Sequence, residues 1–170
     1  TLGCTVRARG ELLGYRSWIF SYDTNTIIHE IGHNLGLAHA ATGSSSNIDV
    51  EYGDRSSPMG FPATGLLLPN AAELKQLGWL PPTKIQKITA AGTFELDIGA
   101  LEQFPQSTFP NAIIVDTAGS SRSIIISYRN LLHPDFLGMN IFERGVSIHY
   151  DQGYTNKTIL ASTLYDGGKF

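Results

Sequence analysis

Three imidazoles and one carboxylate fall within eleven residues, His29-Glu-Ile-Gly-His-Asn-Leu-Gly-Leu-Ala-His39, at a spacing that suits one catalytic zinc ion. On a helix, His29 and His33 stand one turn apart on the same face, so both rings reach a single metal. Glu30 lies about 100° round the helix from His29. That position is near the metal but off its coordination axis, where a general base takes a proton from water. Gly36 leaves helical φ/ψ at little cost, so the chain turns and returns His39 as a third ligand. Three protein ligands leave the fourth position to water, which distinguishes a catalytic from a structural zinc site. The chemistry of such a set is hydrolysis. Ile27, Ile28, Ile31 and Leu35 have the type and spacing of a buried stripe, so the helix is also expected to pack on a core.

With a methionine downstream, this histidine pattern matches the metzincin signature. Met59 lies in Tyr52-Gly-Asp-Arg-Ser-Ser-Pro-Met-Gly60, a stretch rich in turn formers. In metzincins a turn carrying such a methionine forms an apolar floor beneath the three histidines, and a soft thioether suits packing against imidazole rings. The run from His29 to Ala40, then Tyr52-Gly-Asp54 and Pro58-Met-Gly60, resembles the gametolysin family of metallopeptidases. Leu77-Gly-Trp-Leu80, Ile126-Ser-Tyr-Arg129 and Gly145-Val-Ser-Ile-His149 resemble that family's less specific downstream patterns. Together these cover most of residues 11 to 165, with the histidine motif as the strongly diagnostic part.

The resemblance implies an endopeptidase acting on proteins, including extracellular matrix and cell-wall glycoproteins, outside the cell. It implies one catalytic Zn²⁺ held by His29, His33 and His39, with Glu30 as the base and Met59 as the turn methionine. Where astacin-like enzymes place a tyrosine two residues after the methionine, this chain has Phe61, so a tyrosine at that position is not available to the oxyanion.

The elements that must position these groups are partly legible. Residues 5 to 20 carry Val6, Leu12-Leu13 and Trp18-Ile-Phe20 around Gly14, which predicts two short strands leading to the helix. Their stretch from Arg16 to Phe20 is a candidate edge for pairing with a substrate strand. Asp23 or Thr24 is the expected N-cap, and the helix is expected to end near Leu35. Ala41 to Ser57 reads as a polar loop. Pro69-Asn70 introduces a second short helix with Ala71, Ala72, Leu74 and Leu77 as its apolar positions, closed by Gly78. Pro81-Pro82 is a natural boundary.

Beyond it, Thr93–Ile98, Ala112–Val115, Ser123–Tyr128 and Val146–Tyr150 read as strands separated by Gly, Pro, Asn and Asp. The expected class is therefore α+β: residues 1–80 as the C-terminal part of a metzincin-like catalytic domain, and 83–170 as an antiparallel β module, truncated at Gly167–Phe170. A metzincin places a twisted sheet and a supporting helix before its active-site helix, so the chain reads as a fragment.

The remaining residues weigh lightly. His133 and His149 have no second ligand type at helical spacing and read as surface or packing histidines; Tyr128-Arg129 reads as a strand tyrosine beside a solvated arginine. Cys4 is the sole cysteine, so no internal disulfide forms. A net charge of −3 with no basic block argues against nucleic acid. No apolar run approaches the roughly 18 residues of a spanning helix, and oligomeric state is not encoded in any pattern. Two other classes compete with an endopeptidase. A binding or adhesion module with a relic zinc site has no need of an intact Glu30, and a small-molecule metallohydrolase needs a closed pocket.

Overall fold

Among the described residues, two short α-helices and nine strands make an α+β arrangement whose main sheet is mixed in direction. The computed structural model describes residues 7–20, 22–44, 47–60, 67–104, 106–116, 122–130 and 145–165. Cys4, Val6, Phe61, His133 and the terminal Gly167–Phe170 lie outside the described residues.

The chain first forms an antiparallel hairpin of β1 (Ala8–Gly10) and β2 (Ser17–Ile19), then enters α1 (Thr24–Asn34). Asp23 caps α1, its carboxylate accepting from the Thr26 backbone at 3.1 Å and the Thr26 hydroxyl at 2.9 Å. The helix ends in a Schellman arrangement, with the Gly36 amide donating to His33 O and the Leu37 amide to Gly32 O. Gly36 sits at φ +94°, the left-handed conformation that this motif requires and that a β-carbon disfavours. The expected buried stripe is only partly realised: Ile31 and Leu35 are exposed, at 47% and 40%, and Ile27 and Ile28 are half-buried. Full burial on α1 falls instead on Glu30 and Gly32, which stand about 200° apart round the helix and flank that stripe.

After Leu37 the chain continues directly into β3 (Ala40–Gly43), which turns back as β4 (Ile48–Val50). This hairpin replaces the loop expected from Ala41 onward. The helix α2 (Ala71–Gln76) forms as its sequence predicts. Asn70 and Glu73 make a reciprocal capping box, and the Gly78 amide donates to Lys75 O at the far end. Five further strands follow: β5 (Ile85–Ile88), β6 (Ala112–Asp116), β7 (Ser123–Arg129), β8 (Gly145–Asp151) and β9 (Thr158–Leu164).

All seven strands from β3 onward join one sheet in the order β4-β3-β9-β8-β7-β6-β5. The expected module was purely antiparallel, yet β3 pairs β9 and β5 pairs β6 in parallel. The sheet also draws strands from both sides of Pro81-Pro82, because β3 and β4 precede it and β9 closes against them. Thr93–Ile98 does not form the predicted strand. Its alternation finds no edge to pair with, and Phe94 and Leu96 stay exposed; β5 occupies the place beside β6 instead. One core cluster lies between α2 and the sheet, with Ala72, Leu74, Leu101, Ala112, Ile114 and Ile125 among its members. A smaller one, Leu37, Ala40 and Met59 with Leu77 against it, lies under the end of α1.

Candidate active site

Helix α1 brings His29 and His33 onto one face, and the turn at Gly36 returns His39 beside them. One potential ligand atom from each of the three rings lies within 4.8 Å of the others. The ring centroids are 4.7 Å apart for His29–His33, 4.9 Å for His33–His39 and 5.4 Å for His29–His39.

The second nitrogen of each ring is already committed. His29 Nδ1 lies 2.9 Å from Pro58 O and His33 Nδ1 lies 2.8 Å from Leu37 O. A carbonyl only accepts, so each Nδ1 carries the proton and leaves a lone pair on Nε2 in the neutral ring. His39 Nδ1 makes the same kind of bond to a carboxylate, Glu51 Oε1 at 3.0 Å. Burial lowers the pKa of His29 and outweighs the raising effect of the Pro58 carbonyl. It lowers that of His39 as well, against the raising effect of Glu51. Neutral rings with free Nε2 lone pairs are the donor set that zinc takes. On this observation the three residues fit the ion.

Glu30 is 7% exposed and borders the same hollow as the histidines. This hollow, of about 180 Å³, is lined by Ala8, Arg9 and Gly10 of β1 with Glu30, Tyr52 and the triad. It adjoins an open cleft of about 330 Å³ that Arg7, Asn25, Thr26, His29, Glu30 and Pro58 help to line. The strand along the cleft is therefore β1, and the edge expected from Arg16 to Phe20 does not line it.

Met59 is fully buried, and its thioether lies so close to Gly32 that a β-carbon there would collide with the sulfur. Gly32 immediately precedes His33, so the loop carrying Met59 packs directly against the histidine motif. That loop is fixed by a buried polar network. The Met59 amide donates to Ser57 Oγ at 2.9 Å, and the Ser57 hydroxyl bonds the Glu73 carboxyl at 2.6 and 2.7 Å. Asp54 accepts from Ser56 N at 2.9 Å, from Ser56 Oγ at 2.6 Å and from Asn70 Nδ2 at 3.1 Å, and it pairs with His149 Nε2 at 2.9 Å. Burial pushes the Asp54 carboxyl up, but the charge and hydrogen bond of His149, with those of Ser56, bring it below the ordinary carboxylate range. Burial pushes Glu73 up to about 8, only partly countered by Ser57.

Sequence reasoning missed several of these positions. Tyr52 was not singled out as a neighbour of the histidines, yet its ring centroid stands 4.0 Å from His39 and 6.1 Å from His29. Glu51 carried no signal, because its partners are remote in sequence: His39 and Lys157, the latter at 2.8 Å. Hydrogen bonds from Lys157 and then His39 pull the Glu51 carboxyl down to about 2. His149 is a packing histidine in the sense expected, buried and away from the triad. Arg129 is not solvated: it is 1% exposed, pairs with Glu102 at 3.4 Å and donates to the carbonyls of Leu68 and Pro69. Among the described residues, His29, His33 and His39 form the one group of three or more potential ligands close enough to share a metal.

Comparison with known proteins adds independent weight. Residues 4–142 match the family model of gametolysin peptidase M11. A stretch of 66 residues is 42% identical to autolysin of Chlamydomonas reinhardtii, covering 35% of this chain and 10% of that protein. No solved structure matches significantly. With the family model spanning most of its length, the chain belongs to the gametolysin peptidase family.

Proposed function

We propose that the chain carries the active site of a zinc-dependent endopeptidase of the metzincin type, with His29, His33 and His39 as ligands and Glu30 as general base. The observation that carries this reading is the convergence of three imidazoles, each with Nδ1 committed to an oxygen acceptor and Nε2 left for a metal, beside a buried carboxylate. A bound zinc supplies a Lewis acid that polarises the scissile carbonyl and acidifies water.

The protein's own groups perform the rest. Glu30 accepts the proton of the attacking water at its carboxylate and passes it to the leaving amine. Its place in the hollow shared with the histidines favours turnover over a site that only binds metal. The open cleft suits an extended polymer better than a small molecule, and an incoming peptide strand is assigned to the edge of β1. Residues 1–80 are proposed as the C-terminal portion of the catalytic domain. By family likeness the substrate is an extracellular protein or glycoprotein. No helix among the described residues is long and apolar enough to cross a membrane.

The direct test is hydrolysis of a denatured protein by the full chain. Cleavage is expected to stop on chelation and to return with Zn²⁺. Cleavage indifferent to a strong chelator would refute the metal mechanism.

A further inference from the structure

We infer that Glu51 is the positioning residue for His39, and that Lys157 in the β8–β9 turn holds Glu51 in place, so that the far end of the chain sets the orientation of the third histidine. This rests on the reading of His29, His33 and His39 as zinc ligands.

The three rings differ in what orients them. His29 and His33 donate to backbone carbonyls, Pro58 O and Leu37 O, whose places are fixed by the fold. His39 depends on a side chain: Glu51 Oε1, 3.0 Å from Nδ1. Glu51 lies just beyond β4 and is half exposed, so by itself it has several rotamers and would hold the imidazole loosely. Lys157 Nζ reaches the same Oε1 atom at 2.8 Å. One oxygen thus accepts from both the imidazole and the ammonium, and the carboxylate is fixed between them.

The turn that delivers Lys157 is built to a set shape. Gly153 at φ +92° and Thr155 at φ +64° occupy left-handed backbone, a conformation rare for threonine. The Gly153 amide donates to Asp151 Oδ1 at 3.0 Å and the Asn156 amide to Gly153 O at 3.1 Å. The same turn also touches the histidine motif directly, where Tyr154 Oη donates to Leu35 O at 3.2 Å. A β-carbon on Gly36 would stand 2.6 Å from that hydroxyl oxygen. One turn therefore meets the motif directly at Leu35, before the bend, and through Glu51 at His39, beyond it.

A carboxylate on the outer nitrogen of a metal-bound histidine fixes its tautomer and ring angle, and its loss typically lowers metal affinity about 10–100-fold. A surface ion pair contributes little to folding, so the variants of this pair are expected to fold.

The test measures Zn²⁺ affinity by chelator competition and the visible spectrum of the Co²⁺-loaded full chain. Wild type is compared with His39→Ala, Glu51→Ala, Glu51→Gln, Lys157→Met and the double variant Glu51→Ala/Lys157→Met. Circular dichroism of each metal-free chain checks folding. Glu51→Ala is expected to lose about 10–100-fold in Zn²⁺ affinity with an altered Co²⁺ spectrum. Glu51→Gln, whose amide oxygen still accepts from Nδ1, is expected to recover part of that loss. Lys157→Met is expected to lose a few-fold alone and nothing further in the Glu51→Ala background, because its effect runs through Glu51. Unchanged affinity and spectrum in folded Glu51→Ala, with His39→Ala strongly impaired, would overturn this inference and leave the ligand assignment standing. No difference between His39→Ala and wild type would overturn both.

Discussion

Among single residues, Glu30 and Gly36 carry the sharpest consequences. Glutamine at position 30 keeps the size of the side chain and one acceptor oxygen to orient a water, but cannot accept a proton. Glu30→Gln is therefore expected to lower peptide hydrolysis by about 10²–10⁴-fold with zinc still bound, which metal analysis beside the turnover assay checks. Near-normal turnover at full occupancy would remove Glu30 from the role of base. Gly36 is constrained twice, by its φ of +94° and by Tyr154 and Leu13, which leave no room for a β-carbon. Gly36→Val is expected to destabilise the fold by about 1–3 kcal/mol through backbone strain alone. It is also expected to weaken Zn²⁺ binding, because His39 lies beyond the strained bond. Equal zinc affinity in valine variant and wild type would show that the bend reforms without glycine. The sequence pointed to this glycine because its consequence is local: it ends one helix and redirects the next three residues. It could not point to Tyr154, whose contact with Leu35 spans most of the chain.

Elements whose partners are near in sequence were legible, and those whose partners are distant were not. Asp23 and the Asn70–Glu73 pair announce their helices because a cap is satisfied within three residues. The strands β6, β7 and β8 carry dense β-branched runs and appeared close to their expected bounds. By contrast Ala40-Ala-Thr-Gly43 has no such run, and it becomes a strand because Thr158–Leu160 lies alongside it. Thr93–Ile98 shows the converse, an alternating pattern without a partner. The loop bearing Met59 belongs to the same class, since His149 on β8 and the Asn70–Glu73 pair of α2 fix it from two separate elements. Replacing His149 by phenylalanine leaves Asp54 buried with only Ser56 and Asn70 as partners. Removing one member of a buried ion pair costs about 3–5 kcal/mol, and the remaining bonds place this variant at the lower end. Urea unfolding of the metal-free chain is the check, and a midpoint equal to wild type would mean that the pair contributes nothing.

For the molecule as a whole, the buried carboxyls set how stability follows pH. Glu73 titrates near 8 in the folded chain and near its ordinary 4.5 when unfolded. Between those values the native state holds a proton that the unfolded state has released, so this group's contribution to stability falls as pH rises through that window. Asp54 acts in the opposite sense: its folded pKa is depressed, so its contribution is present above the ordinary carboxylate range and is lost as pH falls through the folded value. Thermal melts of the metal-free chain are expected to be higher at pH 5 than at pH 8, and Glu73→Gln is expected to flatten that slope. An unchanged slope in the variant would assign the dependence to other groups.

The parallel pairing of β3 with β9 has a consequence in time. Ala40 is hydrogen-bonded into the sheet beside Thr158, so the strand that continues from the third histidine lacks one neighbour until the far end of the chain has been made. At the usual 5–20 residues per second, that interval is on the order of ten seconds of synthesis. A nascent polypeptide at that stage holds His29 and His33 on a finished helix but has neither β9 nor the lysine that steadies Glu51. Released chains ending before Gln152 are expected to retain zinc poorly, and those extending past Leu164 to retain it well. The order in which the chain leaves the ribosome thus delays completion of the histidine cluster until β9 and Lys157 are in place.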